Sequence, residues 1–272
     1  MMRFFLRYPL AFLVGMALLI LSGCASVPQP EWKVLKTGQV PVIDGTFEDL
    51  WLQASGLSEL STPSDHPTMP SAPVRSPATE IRMLWDADAL YVFFTCWDER
   101  IDFNEALVRD DNLFKYDVCE LFIDPVGDAR QWIEIQVSPN GQILDLVYFL
   151  TTAPEYQKGE RLTETVLQKG LQRDRKWNAE GLEVATGQVI RDGLPVAWTV
   201  EMAIPASTLL ALRGMRSFEE MSLRLNLVRY DWDQEASGKR TRNQFNWVPV
   251  LSGCPHISPK NMGFIHLINQ NQ

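Results

Sequence analysis

Catalytic signatures are missing from this 272-residue sequence. It holds no G-x-S-x-G elbow, no H-E-x-x-H pair, no Walker phosphate loop and no G-x-G-x-x-G dinucleotide fingerprint, so the commonest hydrolase, kinase and dehydrogenase frameworks are absent. Histidine is scarce: His66, His256 and His266 are the three. Cys254 stands two positions before His256, but no zinc-type ligand spacing surrounds them. Basic residues number 25 against 34 acids, a formal charge of −9. A chain this acidic is a poor partner for nucleic acid, which needs clustered Lys and Arg. Long apolar runs are rare too, and the single clear one lies at the N-terminus. Helical periodicity is short, confined to Asp44–Ala54 and to Ala206–Leu212 after Pro205. No internal repeat, low-complexity tract or second composition zone appears, which argues for a single domain.

The N-terminal run has the layout of a targeting segment. Arg3 and Arg7 supply a positive start, Leu10–Leu21 is apolar apart from Gly15, and Leu21-Ser22-Gly23-Cys24 closes it. The run is short for a membrane span and ends in small residues, which fits a signal peptide over residues 1–23; an ordinary N-terminal anchor is the alternative. The Leu-Ser-Gly-Cys ending resembles the lipobox of bacterial lipoproteins. That resemblance implies cleavage before Cys24, a lipid on its sulfur and attachment to a membrane through that lipid, each buried methylene contributing about 0.8 kcal/mol. Ala25, where an Asp would favour the inner membrane, implies the outer membrane on the same grounds. Loss of two arginines and no acids then moves the formal charge from −9 to −11. Residues 24–38, with Pro28 and Pro30, read as the lipidated cysteine and a tether, and residues 39–269 as the folded domain. Three cysteines remain, an odd number. Cys96 and Cys119 lie in apolar runs and read as small buried hydrophobes, with a disulfide between them open if their strands are neighbours.

The body reads as strands: Thr79–Asp86, Leu90–Asp98, Val118–Asp124, Gln131–Ser138, Gln142–Phe149, Leu182–Arg191, Val196–Ala203, Ser222–Tyr230 and Gly263–Ile268. Asp86-Ala87-Asp88, Asp124 to Gly127 and Pro139-Asn140-Gly141 punctuate them. Asn-Gly between alternating runs is a strong hairpin signal. Residues 61–78 carry five prolines and read as an exposed loop, because proline cannot donate to a ladder. Many strands at near-regular spacing predict an all-β fold, a two-sheet antiparallel sandwich or a barrel.

Side chains alternate between the two faces of a strand. Val92, Phe94 and Cys96 oppose Tyr91, Phe93, Thr95 and Trp97. Cys119, Leu121 and Ile123 oppose Val118, Glu120 and Phe122. Ile133, Ile135 and Val137 oppose Trp132, Glu134 and Gln136, and Leu223, Leu225 and Leu227 oppose Arg224, Asn226 and Val228. The aliphatic set predicts the core. If the strands share one sheet, the other set gathers Trp97, Glu120, Trp132, Glu134, Gln136, Arg224 and Asn226 on an outer face. Such a surface suits a sugar: aromatic rings pack on the C–H face of a pyranose, and Glu, Gln, Asn and Arg match its hydroxyls. A solvated outer face with aromatics covered by loops is the plain alternative.

Seven segments in order resemble the family 9 carbohydrate-binding modules. They are Pro41-Val42-Ile43-Asp44-Gly45 with Glu48 and Trp51; Leu84-Trp85-Asp86 with Leu90-Tyr91-Val92 and Asp98; Asp117 to Asp124, matching D-x-x-E-x-F-I-D; Ser138-Pro139-Asn140-Gly141 with Asp145; Trp198 to Pro205, matching W-x-V-E-x-A-I-P; Leu225-Asn226-Leu227 with Arg229; and Pro259 with Gly263. The resemblance spans residues 40–268 and implies a two-sheet, jelly-roll-like β-sandwich that binds sugar chain ends between two tryptophans. Those tryptophans fall on Phe114 and near His256 here, so the two-tryptophan clamp is absent. The family's ligand glutamate falls on Glu120 and a binding arginine near Arg240. The resemblance also implies a structural calcium.

The candidate ligand residues are therefore Trp97, Phe114, Glu120, Trp132, Glu134, Arg240 and His256, with no catalytic residue assigned. Competing roles are a buried ion pair of Glu120 with Arg224 or another arginine, packing of Trp97 and Trp132 under loops, and a solvated loop around Arg240. Asp117 and Asp124 serve turns or, alternatively, calcium. The expected function is that of an envelope lipoprotein holding a carbohydrate, partnered with envelope glycan-degrading enzymes. Two rivals stand: a glycoside hydrolase using two of Asp117, Glu120 and Glu134, and an envelope protein-interaction lipoprotein that has lost sugar binding.

Overall fold

The computed structural model describes residues 29–61, 73–75, 79–150, 170–215, 218, 221–234, 236–250, 255–257 and 259–269. The signal segment 1–23, Cys24, Cys254 and most of the proline-rich stretch lie outside the described residues.

Fifteen strands form one continuous sheet: β1 (Glu31–Lys36), β2 (Gly56–Leu57), β3 (Glu59–Ser61), β4 (Pro73–Arg75), β5 (Thr79–Trp85), β6 (Ala89–Trp97), β7 (Val118–Asp124), β8 (Gln131–Val137), β9 (Ile143–Leu150), β10 (Leu171–Asp174), β11 (Glu183–Arg191), β12 (Leu194–Pro205), β13 (Ser222–Gln234), β14 (Arg240–Asn246) and β15 (Gly263–Ile268). Helix α1 (Ala206–Arg213) follows β12, and Asp49–Gln53 is a 3₁₀ turn. The main path runs β10-β9-β8-β7-β13-β15-β1-β5-β6-β12-β11. The sheet curls at β15 and β1, so β7, β8, β9 and β13 face β5, β6 and β12 across a single apolar core, giving the sandwich expected. Leu121, Ile123, Ile133 and Ile135 meet Val92, Phe94, Val200 and Met202 there, the aliphatic faces identified from alternation.

Three boundaries differ from the sequence expectation. The segment expected as tether contains β1, which pairs in parallel with both β15 and β5; its alternation is masked by Glu31, Lys33 and Lys36, so only Val34 is fully buried. Pro73 opens a strand inside the expected loop, at the sheet margin on β3, a position where proline forfeits little. Strand β14 lies in a polar run with no alternation to announce it. Beyond these, the short strands β2, β3 and β10 have no counterpart in the sequence expectation, and the nine expected strands each fall within a few residues of an observed one.

Cys96 and Cys119 are not on neighbouring strands. They face each other from opposite halves, both buried as free thiols with sulfurs 3.4 Å apart.

Polar groups fix how the layers meet. Glu201 on β12 accepts from Asp44 N (3.1 Å), Gly45 N (2.9 Å) and Trp51 Nε1 (3.0 Å), strapping the N-terminal segment over the outer face of β6 and β12. Gly45 adopts φ +79°, and a Cβ there would stand 2.6 Å from the Thr186 carbonyl carbon, so this close approach of two backbones requires glycine. Arg229, on the core-facing side of β13, is fully buried. It donates to Thr79 Oγ1 (3.2 Å), Trp97 O (3.3 Å), Asp98 Oδ2 (3.1 Å) and Asp231 Oδ1 (3.3 Å), tying β13 to β5 and to the end of β6 in the other half.

Removing this guanidinium leaves buried acids with no counter-charge. Arg229→Met should cost about 3–5 kcal/mol in urea unfolding, with part of the loss recovered when Asp98→Asn is added. A change below about 1 kcal/mol would show that the tie contributes nothing net.

Candidate functional site

The outer face of β7, β8 and β9 forms a cleft of about 270 Å³, closed at its sides by β10, β14, the loop around Phe114 and the Pro255–Ile257 turn. Leu144, Leu146 and Phe122 give an apolar floor beside Glu120, Glu134 and Gln136. Register explains the gathering: Glu120 pairs with Gln136 and Phe122 with Glu134, while Gln136 pairs with Leu144 and Glu134 with Leu146. All six therefore point the same way.

Glu134 is held by two donors, Tyr148 Oη at 2.6 Å on one oxygen and Gln136 Nε2 on the other. Tyr148 is the middle of three stacked rings: Trp132 lies 5.4 Å from it at 17°, and His256 lies 6.0 Å away at 22°. Glu120 is only 1% exposed. Among the described residues its Oε2 has no hydrogen-bond partner, and neither has Gln136 Oε1. Burial, reinforced by neighbouring Glu134, pushes the Glu120 carboxyl well above the usual carboxylate range, against a smaller opposing pull from Arg242. Two acceptors with nothing to accept line a concavity open to ligand, and buried groups left so are costly, at about 1–3 kcal/mol each.

Of the seven expected ligand residues, Phe114, Glu120, Glu134 and His256 line this cleft; Trp97, Trp132 and Arg240 do not. Trp97 lies on the outer face of the other half of the sheet, beside Phe47, Val189 and Ile190 in a separate groove, with the Arg191 guanidinium 5.9 Å above its ring. The assumption that β6 shares a face with β7 and β8 fails because the sheet curls between them. Trp132 has the right parity but no exposure; it backs Tyr148 from below. Arg240 hydrogen-bonds Asp102 Oδ2 and Lys115 O and lies over the rings of Tyr116 and Trp232. With Trp232 Nε1 on Phe114 O at 3.1 Å, it holds the loop that presents Phe114. Arg224 and Asn226, also expected on the outer face, hold the backbone of residues 248 and 260–262.

Alternation missed several lining residues. Tyr148 was accessible, since Leu144, Leu146 and Tyr148 alternate on β9. Arg242 follows Arg240 by two positions and so shares its face. Arg173 and Arg175 lie on or just past β10, a four-residue strand without an apolar pattern, and nothing in the sequence marks them.

Asp117 takes no part in the cleft. Its oxygens accept from Asp102 N (2.8 Å) and Trp232 N (2.7 Å) on the core-facing side, so the carboxylates of the cleft are Glu120 and Glu134. Asp98, Asp117 and Asp231 are the one acidic group among the described residues close enough to share a cation. They do not fit calcium, which takes six to eight oxygens: Arg229 occupies two of the three acids and backbone amides occupy the third. Asp124 accepts from the amides of Val126, Gly127 and Ala129, a turn role.

An all-β sandwich with an aromatic and carboxylate-lined cleft on one outer face is the class of protein this geometry defines. Residues 43–138 match the family described as "Carbohydrate family 9 binding domain-like", so this stretch of the chain is similar to that family. A family 9 carbohydrate-binding module from Caldicellulosiruptor kristjanssonii, solved in complex with cellotriose, superposes with a TM-score of 0.53 at 16% identity, covering 89% of this chain and 95% of that one. A candidate carbohydrate-binding protein from Bacteroides uniformis ATCC 8492 superposes with a TM-score of 0.57 at 12% identity, covering 88% and 100%. At these identities the likeness establishes the fold. Comparison with curated proteins gives no match.

Glu120 has a measurable consequence for stability. A carboxyl raised on folding stabilises the folded chain below its unfolded value, near 4.5, and that contribution is lost as pH rises. Glu120→Gln removes this loss. The variant should unfold at the same temperature as the parent near pH 4 and at a higher one at pH 8, by differential scanning fluorimetry. Parallel curves across that range would contradict the assignment.

Proposed function

We propose that this chain is a non-catalytic envelope lipoprotein that holds a saccharide in the β7–β8–β9 cleft. One observation carries the reading: Glu120 Oε2 and Gln136 Oε1 are buried acceptors without donors, set between apolar and aromatic walls. Water can serve such groups, but a sugar serves them better. Its hydroxyls donate to both acceptors while its C–H face packs on Phe114 or the His256 ring. The bound cellotriose of the Caldicellulosiruptor module supports the same ligand class. Glu134, already saturated by Tyr148 and Gln136, has a shaping role: it fixes the Gln136 amide so that its carbonyl oxygen stays available.

In calorimetric titrations with gluco- and xylo-oligosaccharides of matched length, binding should be detectable and should weaken about tenfold or more in Glu120→Ala and Phe114→Ala, as the loss of a buried hydrogen bond or a stacking ring implies. Trp97→Ala, on the far face, should leave affinity unchanged. Flat titrations at millimolar sugar, or a loss caused by Trp97→Ala, would sink the proposal.

The anchoring half of the reading rests on Leu21-Ser22-Gly23-Cys24. The lipid on Cys24 places the cleft at the cell envelope, on the outer membrane by the Ala25 signal, where polysaccharide is presented and glycan-degrading enzymes work. Cys24→Ala should move the protein from the membrane pellet to the soluble fraction; a variant that still pellets would point to another anchor.

A further inference from the structure

The proposed function leaves the rim of the cleft unexplained. Three arginines, Arg173, Arg175 and Arg242, line it together with His256, against the two carboxylates of the floor. This excess of positive charge stands on a protein with 34 acids and 25 basic residues. Elsewhere Arg82, Arg100, Arg109, Arg130, Arg229 and Arg240 each reach a carboxylate, while Arg213 and Arg224 spend their donors on backbone carbonyls and Arg191 lies over the Trp97 ring. Arg175 is engaged by a neutral group, donating to the Asp110 carbonyl. Arg173 lies opposite Tyr148 in the β9–β10 ladder, on the cleft side, and is exposed. Arg242 lies opposite Trp232, its guanidinium 4.5 Å from the Tyr230 ring centroid, and is exposed as well. Among the described residues neither Arg173 nor Arg242 has a carboxylate within salt-bridge distance. The position over Tyr230 is informative, because a guanidinium held above a ring by its charge meets no oxygen acceptor there, and its fork remains for a planar anion.

The cleft thus asks two things of one ligand. The floor requires O–H or N–H donors for Glu120 and Gln136, and the rim offers forked N–H donors for an anion. A phosphate or carboxylate ion alone answers only the rim. A neutral sugar answers only the floor. Resting on the saccharide reading above, we infer that the cleft selects an anionic saccharide, one whose hydroxyls reach Glu120 and Gln136 while a carboxylate or sulfate ester on the same ring is held by Arg173 and Arg242. The volume, at the small end of ligand pockets, suits one ring with its substituent.

Calorimetry on the full chain tests this with glucuronate and galacturonate disaccharides, glucose 6-sulfate, and the neutral gluco- and galacto-disaccharides, with acetate and sulfate as ions lacking a sugar. Sugar acids or the sulfate ester should bind roughly tenfold or more tightly than their neutral counterparts at low salt, the ratio shrinking at 0.5 M salt as screening shortens the reach of charge. The two kinds of anionic sugar tell carboxylate from sulfate. Arg173→Ala/Arg242→Ala should bring the ratio of anionic to neutral affinity to about one. Neutral sugars binding as well as anionic ones in the parent would overturn the inference and leave the saccharide site standing. Acetate or sulfate binding as tightly as the sugar acids would also overturn it, as an anion site without sugar recognition. If no saccharide of either kind binds, the site reading itself fails along with it.

Discussion

Strand β7 is buried on both of its faces, and that constraint shapes the rest of the molecule. All seven residues from Val118 to Asp124 are inaccessible. One face, Cys119, Leu121 and Ile123, packs into the sandwich core; on the other, Glu120 and Phe122 form part of the cleft floor and Val118 packs with Trp132 and Tyr148. A strand enclosed this way admits a carboxylate only where something outside the strand accommodates it. Asp117 and Glu120 receive opposite solutions. Three positions apart, they must point to opposite faces of the pleat. Asp117 turns toward the core end, where two backbone amides and the neighbourhood of Arg229 receive it. Glu120 turns outward, where the fold supplies neither donor nor full solvent. The D-x-x-E spacing therefore encodes a division of labour: the first acid closes the sandwich, and the second faces the cleft.

The other family-like segments divide in the same way. Trp51 and Glu201 belong to separate motifs but meet in one hydrogen bond that seals the outer face of β6 and β12. Asp86 accepts from Asp88 N, Ala89 N and Tyr91 Oη, forming the turn that carries β5 into β6. Gly141, at φ +79°, and Ser138, whose carbonyl accepts from Gly141 N at 2.9 Å, make the β8–β9 turn. None of these residues lines the cleft, yet they fix the register on which it depends. A slip of one residue between β7 and β8 would send Glu134 and Gln136 into the core and Ile133 and Ile135 to the floor.

Alternation made the fold and the floor of the cleft legible from sequence. It could not say which strands share a sheet half, because the aliphatic faces of β6 and β7 read alike whether the strands lie side by side or face to face. Trp97 fell to that ambiguity; Cys96 and Cys119 are the small buried hydrophobes expected, but the disulfide left open for neighbouring strands gives way to two thiols that confront each other across the core. Parity also carries no depth: Trp132 and Tyr148 share a face, but loops and neighbouring rings cover the first and leave the second at the cleft. Arg240 was misassigned for a further reason. A basic loop residue near a ligand glutamate has the chemistry of a contact, whereas the geometry commits its fork to Asp102 and Lys115.

The absence of the two-tryptophan clamp acquires a physical meaning from these placements. A free-standing indole pair grips a ring by apolar contact on both sides and is indifferent to charge. Here one wall is Phe114, presented by a loop that Arg240 and Trp232 tie down, and the other is His256, stacked on Tyr148 over Trp132. Tyr148 links this ladder directly to Glu134 through its hydroxyl. Apolar grip is reduced and hydrogen-bonding capacity is raised, so the saccharide proposed for this cleft would be recognised by the pattern of its donors and acceptors more than by the area of its rings. Recognition by polar pattern discriminates more sharply, since a ligand lacking a matching hydroxyl leaves a buried acceptor unpaired. On the proposed reading, a cleft built this way trades breadth for selectivity, and Arg173 and Arg242 would extend that same logic from the floor to the rim.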